Sequence, residues 1–180
     1  MRIYRYSLVL LVVFSLFALA GLALGQAQAP QAPKRNCGPD HAILYKRACA
    51  LLDTAEKKLK DRYVAEAKAQ VKEANSLFSI LVKECGQDQR QRLLTDKEVQ
   101  QETINKKLAT DALAQSERLM KSAEEKEKKS QDAENKGKKE EAVNLQRQAK
   151  GEYELAHTQS IKAGIYSLRN QQLIFRFLTP

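Results

Sequence analysis

The sequence predicts an all-α protein: about four helices folded as helical hairpins, with a long charged coiled-coil-like arm, behind an N-terminal signal peptide. Three observations predict it. Between Asp40 and Glu84 there is no Gly and no Pro, and apolar residues recur there at three- and four-residue steps, the spacing of a helix face. From Asp96 onward, Gly137 is the only breaker before Gly151. The chain is rich in Ala, Gln, Glu and Lys, with 6% aromatic residues and no Trp, a composition that favours helices over a thick mixed core.

The first element is a targeting segment, residues 1–25. Arg2 and Arg5 give it a positive start, and Leu8 to Leu24 is an apolar run. Ala23-Leu24-Gly25 offers small residues for cleavage before Gln26, with cleavage after Ala27 as the near alternative. No Cys follows the run, so a lipoprotein anchor is not indicated. An uncleaved membrane anchor is the rival, because the run is nearly long enough to span. Both readings place Gln26 onward outside the cytoplasm, periplasmic or secreted, because the arginines stay inside. Loss of the two arginines lowers the formal charge from +9 to +7, on one domain's worth of chain.

Residues 26–36 carry Pro30 and Pro33 and read as an extended linker. Asp40 is the expected N-cap of the first helix. Residues 37–86 then read as a helical hairpin. Leu44, Ala48, Leu51, Leu52, Ala55 and Leu59 form one stripe; Val71, Ala74, Leu77, Phe78, Leu81 and Val82 form the other. One long helix also fits that pattern. Lys60-Asp61-Arg62 is the polar break, with Asp61 expected to cap a second helix from Arg62, and Gly86 is placed to close it.

The cysteines favour the hairpin. Cys37 and Cys85 lie equally far from Asp61, so a turn there brings them level. A single helix would hold them about 70 Å apart. The expected disulfide is Cys37–Cys85, with Cys49 as a free thiol. Cys49–Cys85 is the competing pair. An odd cysteine is also open to an intermolecular bond.

Within this hairpin Ala48, Leu51, Leu52, Ala55 and Leu59, then Tyr63, Glu66-Ala67, Val71 and Ala74, resemble the tetratricopeptide type of helical hairpin. The resemblance implies a protein- or peptide-binding surface and no catalytic site.

Residues 87–95 read as a polar connection or short helix. Thr95-Asp96-Lys97-Glu98 is a capping box flanked by Leu94 and Val99, so a third helix starts near Asp96. A turn at Gly137 folds residues 96–172 into a second hairpin. It sets Leu119 opposite Leu155, Leu113 opposite Ile161, Leu108 opposite Tyr166 and Val99 opposite Phe175. Gly151 is a weak point or bend in the fourth helix. From Glu124 to Glu141, 13 of 18 residues are charged, and Glu124–Lys128 and Glu125–Lys129 have the favourable helical orientation. That tip is expected to project into water or to unwind locally around Gln131 to Lys139.

The end of the chain, residues 173–180, is an apolar tail. Leu173, Ile174, Phe175, Phe177 and Leu178 either cover the bundle end or dock on a partner. Lys162, Arg169 and Arg176 lie in an acid-free stretch and are candidates for contact with an anionic envelope surface.

The composition excludes more chemistry than it suggests. The chain has no nucleophile elbow, no phosphate-cradling Gly-rich loop and no HExxH, so it is not expected to be an enzyme. Cys37, His41, Cys49 and Cys85 are of zinc-ligand type, but no paired CxxC spacing supports a site and export favours oxidation. No metal and no cofactor are expected. His157, among polar neighbours, reads as a surface histidine. A pI near 9.5 permits nucleic-acid binding in principle, but export argues against it. Expected partners are envelope proteins, with a membrane surface or a homo-oligomer as further options. The expected role is an exported binding or scaffold protein. The profile of signal peptide, basic charge and helical arms is also similar to the Skp type of periplasmic chaperone, which implies a holdase alternative.

Overall fold

The computed structural model describes residues 37–89 and 94–178, the side chains of 87–89 excepted. The expected signal peptide and linker lie outside the described residues. Among those residues all regular structure is helical: α1 (Pro39–Lys60), α2 (Val64–Gln89), α3 (Asp96–Asn135), α4 (Lys139–Phe175) and a terminal 3-10 turn (Arg176–Leu178). No described helix is long and apolar enough to cross a membrane.

Helix α1 starts on Gly38 with Pro39 in its first turn, where proline's missing N–H costs nothing. Asp40 is therefore not the cap. It sits two residues past the cap, in the first turn, where its charge still suits the helix N-terminus. Asp61 does not cap the second helix, which starts two residues later than Arg62. Asp61 ends α1 and α2 begins at Val64. Tyr63 N–H donates to the Lys58 carbonyl at 2.9 Å and Arg62 N–H to the Leu59 carbonyl at 3.3 Å. These two bonds make a Schellman closure, with Arg62 left-handed at φ 66°. The α3–α4 turn repeats it. Lys138 N–H reaches the Ala133 carbonyl and Gly137 N–H the Glu134 carbonyl, both at 2.9 Å, with Gly137 at φ 74°. The tip does not unwind beyond this turn. Nor does Gly86 close α2, which continues to Gln89. Gly151 lies within α4, which is helical on both sides of it.

The two hairpins are not separate bodies, because the C-terminal half of α4 completes the first one. Tyr45, Ala48 and Leu52 of α1, Ala74, Phe78 and Leu81 of α2, and Leu168 and Phe175 of α4 form one buried cluster. Ala55, Ala67, Ile161 and Ile165 form a second, nearer the α1–α2 turn. Gly164 lets α4 approach α2 closely: a Cβ there would lie 3.2 Å from Val71 Cγ1. Tyr45 ties the layers by donating its hydroxyl to the Gln172 carbonyl at 3.0 Å. Among the described elements α3 packs on α4 alone, with one further tie, the Glu98–Arg176 ion pair.

The long hairpin has a different interior from the one its large side chains suggest. Along α4 the buried positions facing α3 are Ala142, Ala149, Ala156, Ala163 and Asn170, each seven residues from the next. Along α3 they are Glu98, Asn105 and Ala112, then Ser116, Ala123 and Ser130, with Ala133 at the tip. Ser116 Oγ donates to the Ala156 carbonyl and Ser130 Oγ to the Ala142 carbonyl, each at 2.8 Å. Those bonds fix a register one residue short of the expected one on each strand of the hairpin. The pairing of Leu113 with Ile161 and Leu119 with Leu155 is thereby replaced. Level alone does not decide what meets across a helix pair: a helix turns by about 100° per residue, so a small shift changes the facing set. Leu113 is 50% exposed and Leu155 55% exposed.

Candidate functional site

The features that carry chemistry gather at the pole where α1 starts and α2 ends. Cys37 and Cys85 are joined there, with Cα atoms 5.5 Å apart. This is the pair that a turn near Asp61 brings level. Cys49 is three turns further along α1, half-buried and not in the bond. Burial pushes its thiol above the ordinary cysteine range.

His41 stands beside the disulfide. Gly38 N–H donates to His41 Nδ1 at 3.1 Å, which makes Nδ1 the acceptor. Nε2 therefore carries the proton and donates it to Glu84 Oε2 at 2.9 Å. The imidazole is thus fixed in one tautomer by two partners, one on each hairpin strand. One ligand atom from each of Cys37, His41 and Cys85 falls within a 4.8 Å set. Cys49, the other thiol considered with them in the sequence, is not part of it.

The apolar end of the chain covers this pole. Phe175 is fully buried, and Ile174, Phe177 and Leu178 pack on the same cluster as Cys37 and Cys85. Leu173 is partly exposed on α4. A freely presented docking tail is thus not what the structure shows: α4 runs two residues past Leu173, and its last turn is core. The reason is the open groove between α1 and α2, which two helices alone leave uncovered.

The candidate basic surface is also altered by neighbours. Arg169 pairs with Asp53 at 2.7 Å and with Glu56 at 3.1 Å. Burial opposes its charge, but the hydrogen bond to Asp53 and the Glu56 charge outweigh that, and its pKa is raised. Arg176 meets Glu98. The stretch is acid-free along α4, but acids from α1 and α3 fold onto it. Lys162 lines an open groove of about 390 Å³ with Glu56, Lys60, Thr158 and Tyr166. His157 is exposed on α4.

Glu98 binds two parts of the molecule together. Its carboxylate accepts from the Thr95 N–H at 2.8 Å and the Thr95 hydroxyl at 2.7 Å, and the expected capping box over Thr95 and Glu98 is in place. The Glu98 amide goes to the Thr95 carbonyl at 2.9 Å. Val99 is 48% exposed, so the staple with Leu94 buries little of it. Near the tip, Lys126 pairs with Glu152 across the hairpin, and Tyr153 donates to Glu127 at 3.0 Å.

Sequence reasoning missed the outward apolar residues of α3. Ile104 and Leu108, one turn apart, lie on one flank of the Ala/Ser seam; Leu113 and Met120, seven apart, lie on the other. All four are exposed. The signal was present as the strict seven-residue recurrence of small residues from Ala142 to Ala163, which marks the true seam. Compared with known proteins, the chain matches no family model, no curated protein and no solved structure.

Proposed function

We propose that this is an exported, non-enzymatic binding or scaffold protein of the cell envelope, and that it engages a protein partner through its long hairpin, a charged coiled-coil-like arm. One observation carries the reading. The hairpin encloses Ala and Ser and turns Ile104, Leu108, Leu113 and Met120 outward. A helix pair that needed its large side chains for its own stability would bury them. Exposed apolar pairs on both flanks of one helix are a candidate interaction surface. The seven-residue recurrence of small residues supports close, supercoiled helix packing, and the paired Cys37 and Cys85 suit an oxidising compartment.

The same observation favours a second reading. Apolar side chains interleaved with charges on two flanks also suit transient capture of unfolded chains, as in a holdase chaperone. The anionic-surface reading loses support, because Arg169 and Arg176 are engaged by carboxylates within the fold.

A photo-crosslinking residue at Leu108 or Leu113, in cells, tests the proposal. One dominant envelope partner supports the scaffold reading. Many exported proteins support the chaperone. Adducts only with a second copy indicate that oligomerisation is the role of this face. Absence of adducts at both positions, with adducts at the α1–α2 hairpin, would remove the arm from the proposal.

A further inference from the structure

The disulfide pole contains a metal-binding donor set as well as a cross-link. We propose that the reduced chain binds a zinc-class divalent cation through Cys37 Sγ, Cys85 Sγ and His41 Nδ1, with Glu84 as the carboxylate that orients the imidazole.

Geometry supports it first. One sulfur from each cysteine and one ring nitrogen of His41 lie within 4.8 Å of one another. In a tetrahedral site with Zn–S of about 2.3 Å and Zn–N of about 2.0–2.1 Å, ligand atoms stand about 3.5–3.8 Å apart. Side-chain rotation covers the difference, with the two Cα atoms already 5.5 Å apart. His41 and Cys85 stand on α1 and α2, which pack on each other in the base, and Cys37 is two residues before α1, so the set should persist when the S–S bond is opened.

The hydrogen bonding supports it next. Metal-bound histidines characteristically donate their other N–H to a carboxylate. His41 Nε2 already donates to Glu84 Oε2 at 2.9 Å. That leaves the lone pair on Nδ1, now used only by Gly38 N–H at 3.1 Å. The helix N-terminus gives up one hydrogen bond when Nδ1 turns to a cation, and it has water as a replacement. The His41 and Glu84 side chains are 15% and 27% exposed, so a hydrated ion can reach them, and water can complete the coordination.

The chemistry balances with one co-reactant. A dithiol reductant gives two electrons and two protons to the Cys37–Cys85 bond and becomes a disulfide itself. The S–S bond breaks and two thiols form. Cation binding then releases both thiol protons as the thiolates take the metal. The pole is closed in either state, by a covalent bond when oxidised and by the metal when reduced. This assignment does not rest on partner binding.

The test uses the full mature chain, reduced with a phosphine that is then removed under anaerobic conditions, and titrated with cobalt(II). The expected result is saturation at a single equivalent, with thiolate-to-cobalt charge transfer and the strong visible bands of a tetrahedral site, bleached by zinc. Cys49→Ser should keep these bands, and Cys37→Ser and Cys85→Ser should lose them. Glu84→Gln should weaken affinity roughly ten- to hundred-fold, and His41→Ala at least as much. Circular dichroism on each sample reports the fold. Failure of cobalt to give these bands with a reduced, helical chain overturns the proposal. So does persistence of the bands in Cys37→Ser. If reduction unfolds the chain, cobalt must restore the helices, and failure to do so also overturns it.

Discussion

Ser116 Oγ donates to the Ala156 carbonyl at 2.8 Å, and the bond fixes how the two longest helices face each other. Ser130 and Ala142 repeat the arrangement two heptads nearer the tip. The same register sets Ala123 level with Ala149, both buried. Small side chains at these levels let the helices approach closely, and a large one cannot fit without separating them. Ala149→Leu should therefore destabilise by about 1–3 kcal/mol, the usual cost of overpacking. Ser116→Ala should cost only about 0.5–1.5 kcal/mol, the net worth of one hydrogen bond. Urea unfolding of the two variants checks the order; equal costs would mean that the seam is looser than its geometry indicates.

The two Schellman turns put different residues at their left-handed position. Gly137 occupies the left-handed position in one and Arg62 in the other. A side chain pays roughly 1–2 kcal/mol there. Arg62→Gly should stabilise by about 0.5–1 kcal/mol, once the greater entropy that glycine loses on folding is deducted. Gly137→Ala should destabilise by about 1 kcal/mol. Thermal melts of the pair must move in opposite directions. The Lys58 ammonium, 4.8 Å from the centre of the Tyr63 ring, is retained in the first variant.

Gly151 offers a simpler gain. Nothing lies within 4 Å of a Cβ placed on it, and it is in the interior of α4. Gly151→Ala should raise stability by about 1 kcal/mol through helix propensity alone. A lower melting temperature in this variant would show that the helix needs to bend there.

The carboxyl of Glu98 is held below the usual carboxylate range, first by the Thr95 hydroxyl, then by the Thr95 amide and by Arg176, with burial opposing them. A lowered folded pKa means that the unfolded chain binds the proton more tightly. The stabilisation is then complete above the unfolded value of about 4.3 and is lost as pH falls through the lower folded value. Acid unfolding should start at the Thr95–Glu98–Arg176 junction. In Glu98→Gln the part of the acid dependence below about pH 4 should flatten. An unchanged acid limb would assign that dependence to other carboxylates, such as Glu152, which Lys126 and Ser122 hold low.

Reduction should matter in proportion to the loop it opens. The Cys37–Cys85 bond closes a separation of 48 residues, for which the chain-entropy model gives about 4 kcal/mol. A melt with a metal chelator and a phosphine present should show that loss. The Cys37→Ser variant should match it, and Cys49→Ser should show none.

Much of the architecture was legible because breakers and caps act locally. The missing Gly and Pro from His41 to Glu84, Gly137, and the Thr95–Glu98 box give helix limits that need no knowledge of the fold. The symmetric distance of Cys37 and Cys85 from the first turn carried the pairing. The rest depended on distant chain. Nothing local marks Arg62 as left-handed, since its conformation is imposed by the two hydrogen bonds that close α1. The pairing of Leu113 with Ile161 looked apolar at both ends, but direction around the helix, set by Ser116 and Ala156, turned Leu113 out. Arg169 and Arg176 read as an open basic stretch because Asp53, Glu56 and Glu98 lie on other helices. Phe175 and Leu178 read as a tail because the groove they fill exists only once α1 and α2 are folded.

Cys37 and Leu178, the first and last described residues, rest against one apolar cluster. A leash attached to either end of the described chain therefore enters at the same place. The 37 residues of α4 carry the chain about 55 Å away from it, to the turn around Gly137. An anchor at that pole, natural or engineered, would hold the charged tip at a standoff set by helix length and not by linker flexibility. Reach along the helix axis is then built into the fold, and lengthening the leash would change where the molecule is held more than how far its tip stands from its own base.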